Sequence, residues 1–186
     1  MNFAEHFICS ERTHILMITN HGMHHWNVVP GLPDTGGQNV FVNQFSAALA
    51  VAGYKVTIVN RGGFPDPVSG EMRRGMLYKD ETQRILYLED DKPEFVRKED
   101  MDAQIPYLMN NLRERLAAEN CKIDYIISHY WDGAKLGTLF NQTLDKSVPH
   151  IWVPHSLGAV KKRNVHPDKW EELRIDERIR NESEII

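Results

Sequence analysis

The run Ile15-Leu16-Met17-Ile18 and the loop Pro30-Gly31-Leu32-Pro33-Asp34-Thr35-Gly36-Gly37-Gln38 that follows it decide the fold class. The run is continuously apolar, which is typical of a strand covered on both faces, as in a parallel sheet. After the loop, residues 39–52 carry apolar side chains three and four positions apart, and Gly53 supplies a stop. This segment is therefore predicted to be a helix. Strand, glycine-bearing loop and helix in this order form the unit from which parallel sheets are built.

The rest of the chain repeats this alternation. Four further apolar runs predict strands, at residues 55–59, 84–88, 123–128 and 150–153. Helical periodicity recurs over 101–120 and 132–144, with Asp132 as the predicted N-cap of the second helix. Residues 61–79, rich in Gly and Pro, are predicted to be an irregular or hairpin excursion. The pattern predicts an α/β fold with a Rossmann-like, doubly wound, mostly parallel sheet.

Length and composition fit one soluble domain over residues 1–186. The net charge of -4 argues against general nucleic-acid binding, which requires a basic face. The apolar runs are far shorter than the roughly 20 residues of a membrane span, and no signal peptide is recognisable. Two cysteines, Cys9 and Cys121, suit a reducing compartment, so a cytoplasmic location is expected. Residues 170–186 stay helix-prone to the last residue, which indicates a piece of a longer protein.

The glycine loop carries the strongest chemical signal. Gly36 and Gly37 lie where the first strand ends and the first helix begins, so a ligand can approach the backbone closely. The free N–H groups and the dipole of a helix start favour an anion such as a phosphate. The alternative is that the two glycines only form a tight turn. Because ligands of open α/β sheets lie at the carboxyl ends of the strands, the position favours a binding loop.

Two histidines follow later strands at the same edge of the predicted sheet. His129 follows the fourth strand and His155 the fifth, and both are expected to face the glycine loop. Just beyond them, Lys161-Lys162-Arg163 is either a phosphate-binding group or a solvated surface patch. The convergence predicts a site for an anionic ligand.

Two alternatives remain open on the residues alone. The run His21-Gly22-Met23-His24-His25 has imidazoles at spacings that can bind zinc, which would indicate a metallohydrolase. Against this, the run lies in a loop after a strand, and no Asp or Glu stands close in sequence to act as general base. The second alternative is a module that binds a sugar or a phosphate without catalysis.

Four motifs together resemble a known family. They are Asp34-Thr35-Gly36-Gly37-Gln38, His129-Tyr130-Trp131-Asp132-Gly133, Pro154-His155-Ser156-Leu157-Gly158 and Arg178-Ile179-Arg180-Asn181-Glu182. In this order and spacing they resemble the N-terminal half of retaining glycosyltransferases of the sucrose-phosphate synthase and sucrose synthase group, family 4, which have the GT-B fold. Each motif alone would be weak, but four in order make chance similarity improbable.

The resemblance implies a specific architecture and reaction. GT-B enzymes have two Rossmann-like domains with the active site between them. This chain would be the acceptor-side domain, and the C-terminal domain that holds most of the sugar nucleotide would lie outside it. The implied substrates are a nucleoside diphosphate sugar and a sugar or sugar-phosphate acceptor, with retention at the transferred sugar. No metal ion or other cofactor is implied for the chemistry.

The resemblance also assigns roles to individual residues. On the donor side, Gly36, Gly37 and Gln38 would lie against the diphosphate and the transferred sugar. His155 would lie beside the reacting sugar as the catalytic residue. The acceptor side would be formed by Lys98, His129, Lys161 and Arg178.

Overall fold

The computed structural model describes residues 2–185, which form an α/β domain built on a single six-stranded sheet. The strands are β1 (His14–Ile18), β2 (Lys55–Arg61), β3 (Gly75–Tyr78), β4 (Gln83–Leu88), β5 (Tyr125–His129) and β6 (His150–Val153). They lie in the order β3-β4-β2-β1-β5-β6, and every neighbouring pair is parallel except β3 and β4.

Among the described residues, six helices accompany the sheet. They are α1 (Phe3–Cys9), α2 (Gly37–Val51), α3 (Ile105–Ala118), α4 (Tyr130–Gln142), α5 (Gly158–Asn164) and α6 (Ile175–Ile185), with 3₁₀ turns at Lys98–Gln104 and Pro167–Lys169. Three of them, α2, α3 and α4, connect successive strands. Within residues 2–185, none of the helices has the length and apolar character needed to span a membrane.

Both faces of the sheet are covered, as its continuously apolar strands require. On one face, α3 and α4 pack through residues such as Leu108 and Leu136 against Leu16 of β1. On the other face, α2 packs through Val42 against Met17 of the same strand. Neighbouring residues of β1 therefore serve opposite cores, and the predicted doubly wound, mostly parallel α/β fold is confirmed.

The predicted strands are confirmed to within a few residues of their observed ends. The excursion at 61–79 contains β3, which pairs antiparallel with β4, and a bridge between Pro65 and Met72. The prediction that Asp132 is an N-cap is wrong. Helix α4 begins two residues earlier, at Tyr130, and the Asp132 carboxylate is buried in its first turn.

The topology brings the loops that carry the predicted site residues to the carboxyl ends of the parallel strands. The chain leaves β1 in opposite directions across the sheet, first to β2 and later to β5, so a crevice opens at the carboxyl end of β1. The loops that follow β1, β5 and β6 all reach this edge.

Candidate functional site

The glycine loop leaves open space at the start of α2. A Cβ atom added at Gly36 or Gly37 would meet no atom within 4 Å, and neither glycine has a positive φ. Neither the backbone conformation nor the packing of residues 2–185 therefore demands glycine here. The next residue, Gln38, is anchored, because its side-chain amide donates to the Thr19 hydroxyl at 3.0 Å. The first N–H groups of a helix have no acceptor within the helix, so this end of α2 can bind an anion.

The two predicted histidines form a pair. Nδ1 of His129 and Nε2 of His155 are 2.9 Å apart, so one ring donates a hydrogen bond to the other. Phe41, one turn beyond Gly37 in α2, packs its ring edge against both imidazoles, with centroids 5.9 and 5.2 Å away. The His155 side chain is exposed at the end of β6. Phe41 thus joins His155 to the helix that begins at the open glycines, and both lie at the carboxyl ends of the strands.

His129 lies beneath the exposed His155. Its side chain is fully buried at the carboxyl end of β5. Burial, and then the neighbouring His155 and His24, lower the pKa of His129 to about 3, so the ring is neutral at physiological pH. Its Nε2 has no hydrogen-bond partner among residues 2–185. The structure shows His129 in contact with His155, and its contact with an acceptor stays a prediction.

The three other residues that were predicted to bind the acceptor meet in one pocket. Lys98 from the 3₁₀ turn, Lys161 from α5 and Arg178 from α6 all line it. Aromatic side chains of α4, Tyr130 and Trp131, line the same pocket. These cations come from positions up to 80 residues apart. Together with Arg174 they outnumber the two carboxylates that also line the pocket, Glu99 and Glu177, so its lining carries a net positive charge.

Arg178 is held in place by neighbours on three sides. Its Nε donates to Glu182 at 2.7 Å, and its Nη2 donates to the carbonyl and the hydroxyl of Ser156, which follows His155. The guanidinium also stacks over the Tyr130 ring at 4.3 Å. Its Nη1, buried as well, has no partner among the described residues. One donor of a rigid guanidinium therefore remains unused beside the pocket.

Lys161 and Lys98 differ in their partners. Within residues 2–185, Lys161 makes no ion pair with a carboxylate, whereas Lys98 is paired with Asp34 of the glycine loop and, at 3.4 Å, with Glu99. Burial, and then the charges of Arg178 and Lys98, lower the pKa of Lys161. Burial opposes the charge of Lys98 too, but the hydrogen bond to Asp34 raises its pKa. A neighbouring anion would remove the charge repulsion that acts on Lys161.

Comparison with known proteins gives relatives with a consistent description. The chain is 29% identical to mannosylfructose-phosphate synthase of Agrobacterium fabrum over 90% of its own length and 37% of the relative. It is 31% identical to D-inositol 3-phosphate glycosyltransferase of Segniliparus rotundus over 71% of its own length and 28% of the relative. A probable sucrose-phosphate synthase of Thermosipho melanesiensis is 30% identical over 70% of this chain and 30% of the relative. The chain belongs to the GT-B glycosyltransferases of family 4.

The comparison of folds agrees with this family. Sucrose-phosphate synthase from Thermosynechococcus elongatus superimposes with a TM-score of 0.76 at 24% identity, over 94% of this chain and 40% of that chain. No model of a protein family matches the sequence. The chain spans about a third of the length of the relatives it matches. The resemblance that the four motifs predicted is confirmed.

The histidine run that suggested zinc has other partners in this family-4 chain. His21 donates its backbone N–H and presents its Nδ1 to the Asp132 carboxylate, at 3.1 and 3.0 Å. His24 is buried, with its Nδ1 3.3 Å from the Asn39 side-chain amide. Among residues 2–185, no three His, Cys, Asp or Glu side chains are grouped to hold a metal ion. The geometry therefore gives the metallohydrolase alternative no support.

Two residues of the site were not assigned from the sequence. Asp34 was part of a motif but had no role, and its partner Lys98 lies 64 positions away. Tyr130 was quoted only as part of a motif, yet its ring underlies Arg178. A local pattern carries no signal for contacts between such distant positions. The positive φ of Asp34, +51°, is a property of the backbone that sequence reasoning did not anticipate.

Proposed function

We propose that this chain is the acceptor-binding domain of an enzyme that transfers a sugar from a nucleoside diphosphate sugar to a phosphorylated acceptor, with retention. One observation carries the proposal: Lys98, Lys161 and Arg178 converge on one pocket beside the open glycine loop. A phosphate ester is the chemical group that three such cations bind best. The relatives support it, because all three are named for a phosphate compound.

The donor side follows from the start of α2. Departure of a nucleoside diphosphate places negative charge on phosphate oxygens, and preorganised N–H groups at Gly37 and Gln38 would stabilise that charge. Each such donor is typically worth about 2.7–4 kcal/mol in a transition state. The missing side chains at Gly36 and Gly37 allow the diphosphate to reach these amides.

His155 would lie beside the reacting sugar, and His129 would be its positioning residue. Since burial keeps His129 neutral, its Nδ1 either accepts from or donates to His155 Nε2 and so selects the tautomer of the exposed ring. The hydrogen bond also fixes the orientation of His155, whose backbone has a positive φ of +56°. A fixed imidazole at this edge can donate to or accept from a sugar hydroxyl.

Retention is proposed through attack of the acceptor hydroxyl on the face from which the diphosphate departs, with the hydroxyl proton passing to the departing phosphate oxygen. The sugar then develops oxocarbenium character, as in glycoside hydrolysis. Three carboxylates around the site are already engaged: Asp34 with Lys98, Asp132 with His21 and Glu182 with Arg178. Their engagement supports a mechanism in which none of these three forms a covalent intermediate with the sugar.

The test is an assay of the full-length protein against a panel of nucleoside diphosphate sugars. Each is offered with matched acceptors: fructose and fructose 6-phosphate, inositol and inositol 3-phosphate. We expect transfer with at least tenfold higher kcat/KM for the phosphorylated member of a pair, and a product of unchanged anomeric configuration by NMR. Transfer only to free acceptors would contradict the phosphate pocket. Binding of sugar phosphates without any transfer would instead assign a non-catalytic module.

A further inference from the structure

Lys98 is held by an anion that belongs to the protein itself. Its backbone N–H donates to Oδ2 of Asp34 at 3.0 Å, and its Nζ donates to Oδ1 of the same carboxylate. The Asp34 side chain is only 11% exposed, and that of Lys98 is 26% exposed. Both oxygens of one carboxylate are thus used to hold one lysine at the edge of the pocket.

Asp34 belongs to the loop that also carries the donor glycines. It lies two residues before Gly36 in a left-handed conformation, with φ of +51°. Its carbonyl oxygen packs so closely on Gly22 that a Cβ there would lie 2.3 Å from it. The following residue, Thr35, accepts a hydrogen bond from the Met23 N–H at 2.8 Å. The carboxylate therefore joins the acceptor pocket to a closely packed loop whose far end opens on the donor side.

A phosphate can contact more of the cations in the pocket than the Asp34 carboxylate does. The carboxylate reaches Lys98, but no hydrogen bond or ion pair joins it to Lys161 or Arg178. A phosphate ester carries up to two charges and three acceptor oxygens, so it can use Lys98, Lys161 and the free Nη1 of Arg178 together. Glu99 Oε1 also lies 3.4 Å from the Lys98 ammonium, so an incoming phosphate meets two carboxylates there. Because anions at one lysine repel each other, the phosphate competes for Lys98 with Asp34, the partner that holds both its Nζ and its backbone N–H.

We propose that Asp34 is a resident counter-ion that the phosphate of the acceptor replaces at Lys98, and that this exchange loosens the glycine loop. The inference rests on the proposed function, because it requires the pocket to bind a phosphorylated acceptor. Asp34 is then a specificity-determining residue. It lowers the affinity for any anion at Lys98, so that only a ligand that engages the other two cations displaces it. Binding at the acceptor pocket is thereby linked to the conformation of Gly36 and Gly37.

The first test measures the affinity of the full-length protein and of its Asp34→Asn variant for fructose 6-phosphate by calorimetry. Asn tolerates a positive φ, so the loop conformation is retained while the charge is removed. We expect fructose 6-phosphate to bind about twofold to fivefold more tightly to the variant, the range for removing a partly exposed ion-pair partner. Equal or weaker binding would show that Asp34 only positions Lys98, and would overturn the proposal.

A matched control is Asp176→Asn. Asp176 is also paired with a lysine, Lys162, but its side chain is 73% exposed and does not line the pocket. This variant should bind fructose 6-phosphate as the wild type does. Tightening in both variants would indicate a general effect of net charge and would contradict a specific exchange at Lys98.

The second test uses the wild-type protein and does not depend on how a variant folds. Hydrogen exchange is followed at the Met23 and Thr35 amides, which are bonded within the glycine loop, to Thr35 Oγ1 and the Leu32 carbonyl. Saturating fructose 6-phosphate should accelerate both. Unchanged or slower exchange would overturn the loosening of the loop.

The two proposals fail differently. A wild-type protein that binds neither fructose 6-phosphate nor inositol 3-phosphate better than the free acceptor contradicts the proposed function, and the counter-ion role is overturned with it. Preferential binding of fructose 6-phosphate, without tightening in Asp34→Asn, overturns the counter-ion role alone.

Discussion

The two ends of the parallel sheet differ in whether their buried polar groups have hydrogen-bond partners. At the amino end, both ring nitrogens of His14 are bonded, Nδ1 to the Lys122 carbonyl at 3.0 Å and Nε2 to the Thr57 hydroxyl at 2.8 Å. The fully buried Arg84 beside them donates to Thr57 and to the Glu119 carboxylate. This network is complete, and it joins strands to the end of α3 and the loop beyond it.

The carboxyl end leaves comparable groups without partners. Among the described residues, His129 Nε2 and Arg178 Nη1 are buried and unbonded, and Lys161 has no carboxylate partner. An unpaired buried polar group costs about 1–3 kcal/mol, more when charged. A fold that satisfies its polar groups at one end and leaves them open at the other reserves the second end for a ligand. The amino end of the sheet therefore contributes to stability, whereas the carboxyl end is suited to binding.

The largest effect is expected when the complete network is broken. Replacement of Arg84 by Met should lower the free energy of unfolding by about 3 kcal/mol, because Glu119 and Thr57 lose a buried partner. Urea denaturation measures the change. The matched control is Lys162→Met, whose pair with the exposed Asp176 should contribute less than about 1 kcal/mol. Equal losses in the two variants would refute a special role for the amino end.

Much of this scaffold could be predicted from the sequence, because burial on both faces leaves a local signature. The apolar runs at 15–18 and 150–153 are strands, and 39–52 is a helix that in the structure begins at Gly37. Helix α1 was not predicted. Its only buried residue, Phe7, has its ring beneath the Arg84 guanidinium, whose Cζ lies 4.1 Å from the ring centroid, a contact that no local pattern encodes.

Substitution of two glycines, Gly37 and Gly137, tests the difference between the open site and the packed sheet. Replacement of Gly37 by Val should lower transfer by the full-length enzyme at least about a hundredfold, because the side chain would fill the space next to the donor amides. The fold should survive, since a Cβ at Gly37 meets no atom within 4 Å and the space beyond it is open to the loop surface rather than packed. Steady-state kinetics and urea denaturation separate the two effects.

Gly137 in α4 provides the contrast. A Cβ there would lie 2.5 Å from the Ser128 hydroxyl and 2.8 Å from the His150 ring, so Gly137→Ala should lower stability by about 1–3 kcal/mol. Substrate KM values of whatever protein remains folded should stay unchanged. If Gly37→Val unfolds the protein and Gly137→Ala does not, the assignment of open and packed glycines is reversed.

The site itself was only partly predictable. The motifs marked strand ends, so the shared edge of Gly37 and His155 followed from the fold class. The burial of His129 did not, because it depends on how His155 and Phe41 pack over it. Nor did the pair of Asp34 with Lys98, whose members are joined only by the tertiary structure. Sequence patterns locate a site in such a sheet, but the pairing of its charges is decided by long-range packing.

The smallest effect is expected at Lys161, the lysine of the pocket that makes no ion pair among the described residues. Lys161→Ala in the full-length enzyme should raise the KM for fructose 6-phosphate about tenfold, the loss expected for one charge-assisted hydrogen bond, with kcat nearly unchanged. The KM for free fructose should not change, because no phosphate meets Lys161. Lys162→Ala is the matched control, since its neighbouring ammonium pairs with Asp176 and lies over the Trp170 ring, outside the pocket. Equal losses with phosphorylated and free acceptors would mean that Lys161 supports the fold of α5 rather than a phosphate. The two ends of the sheet would then no longer differ at this residue.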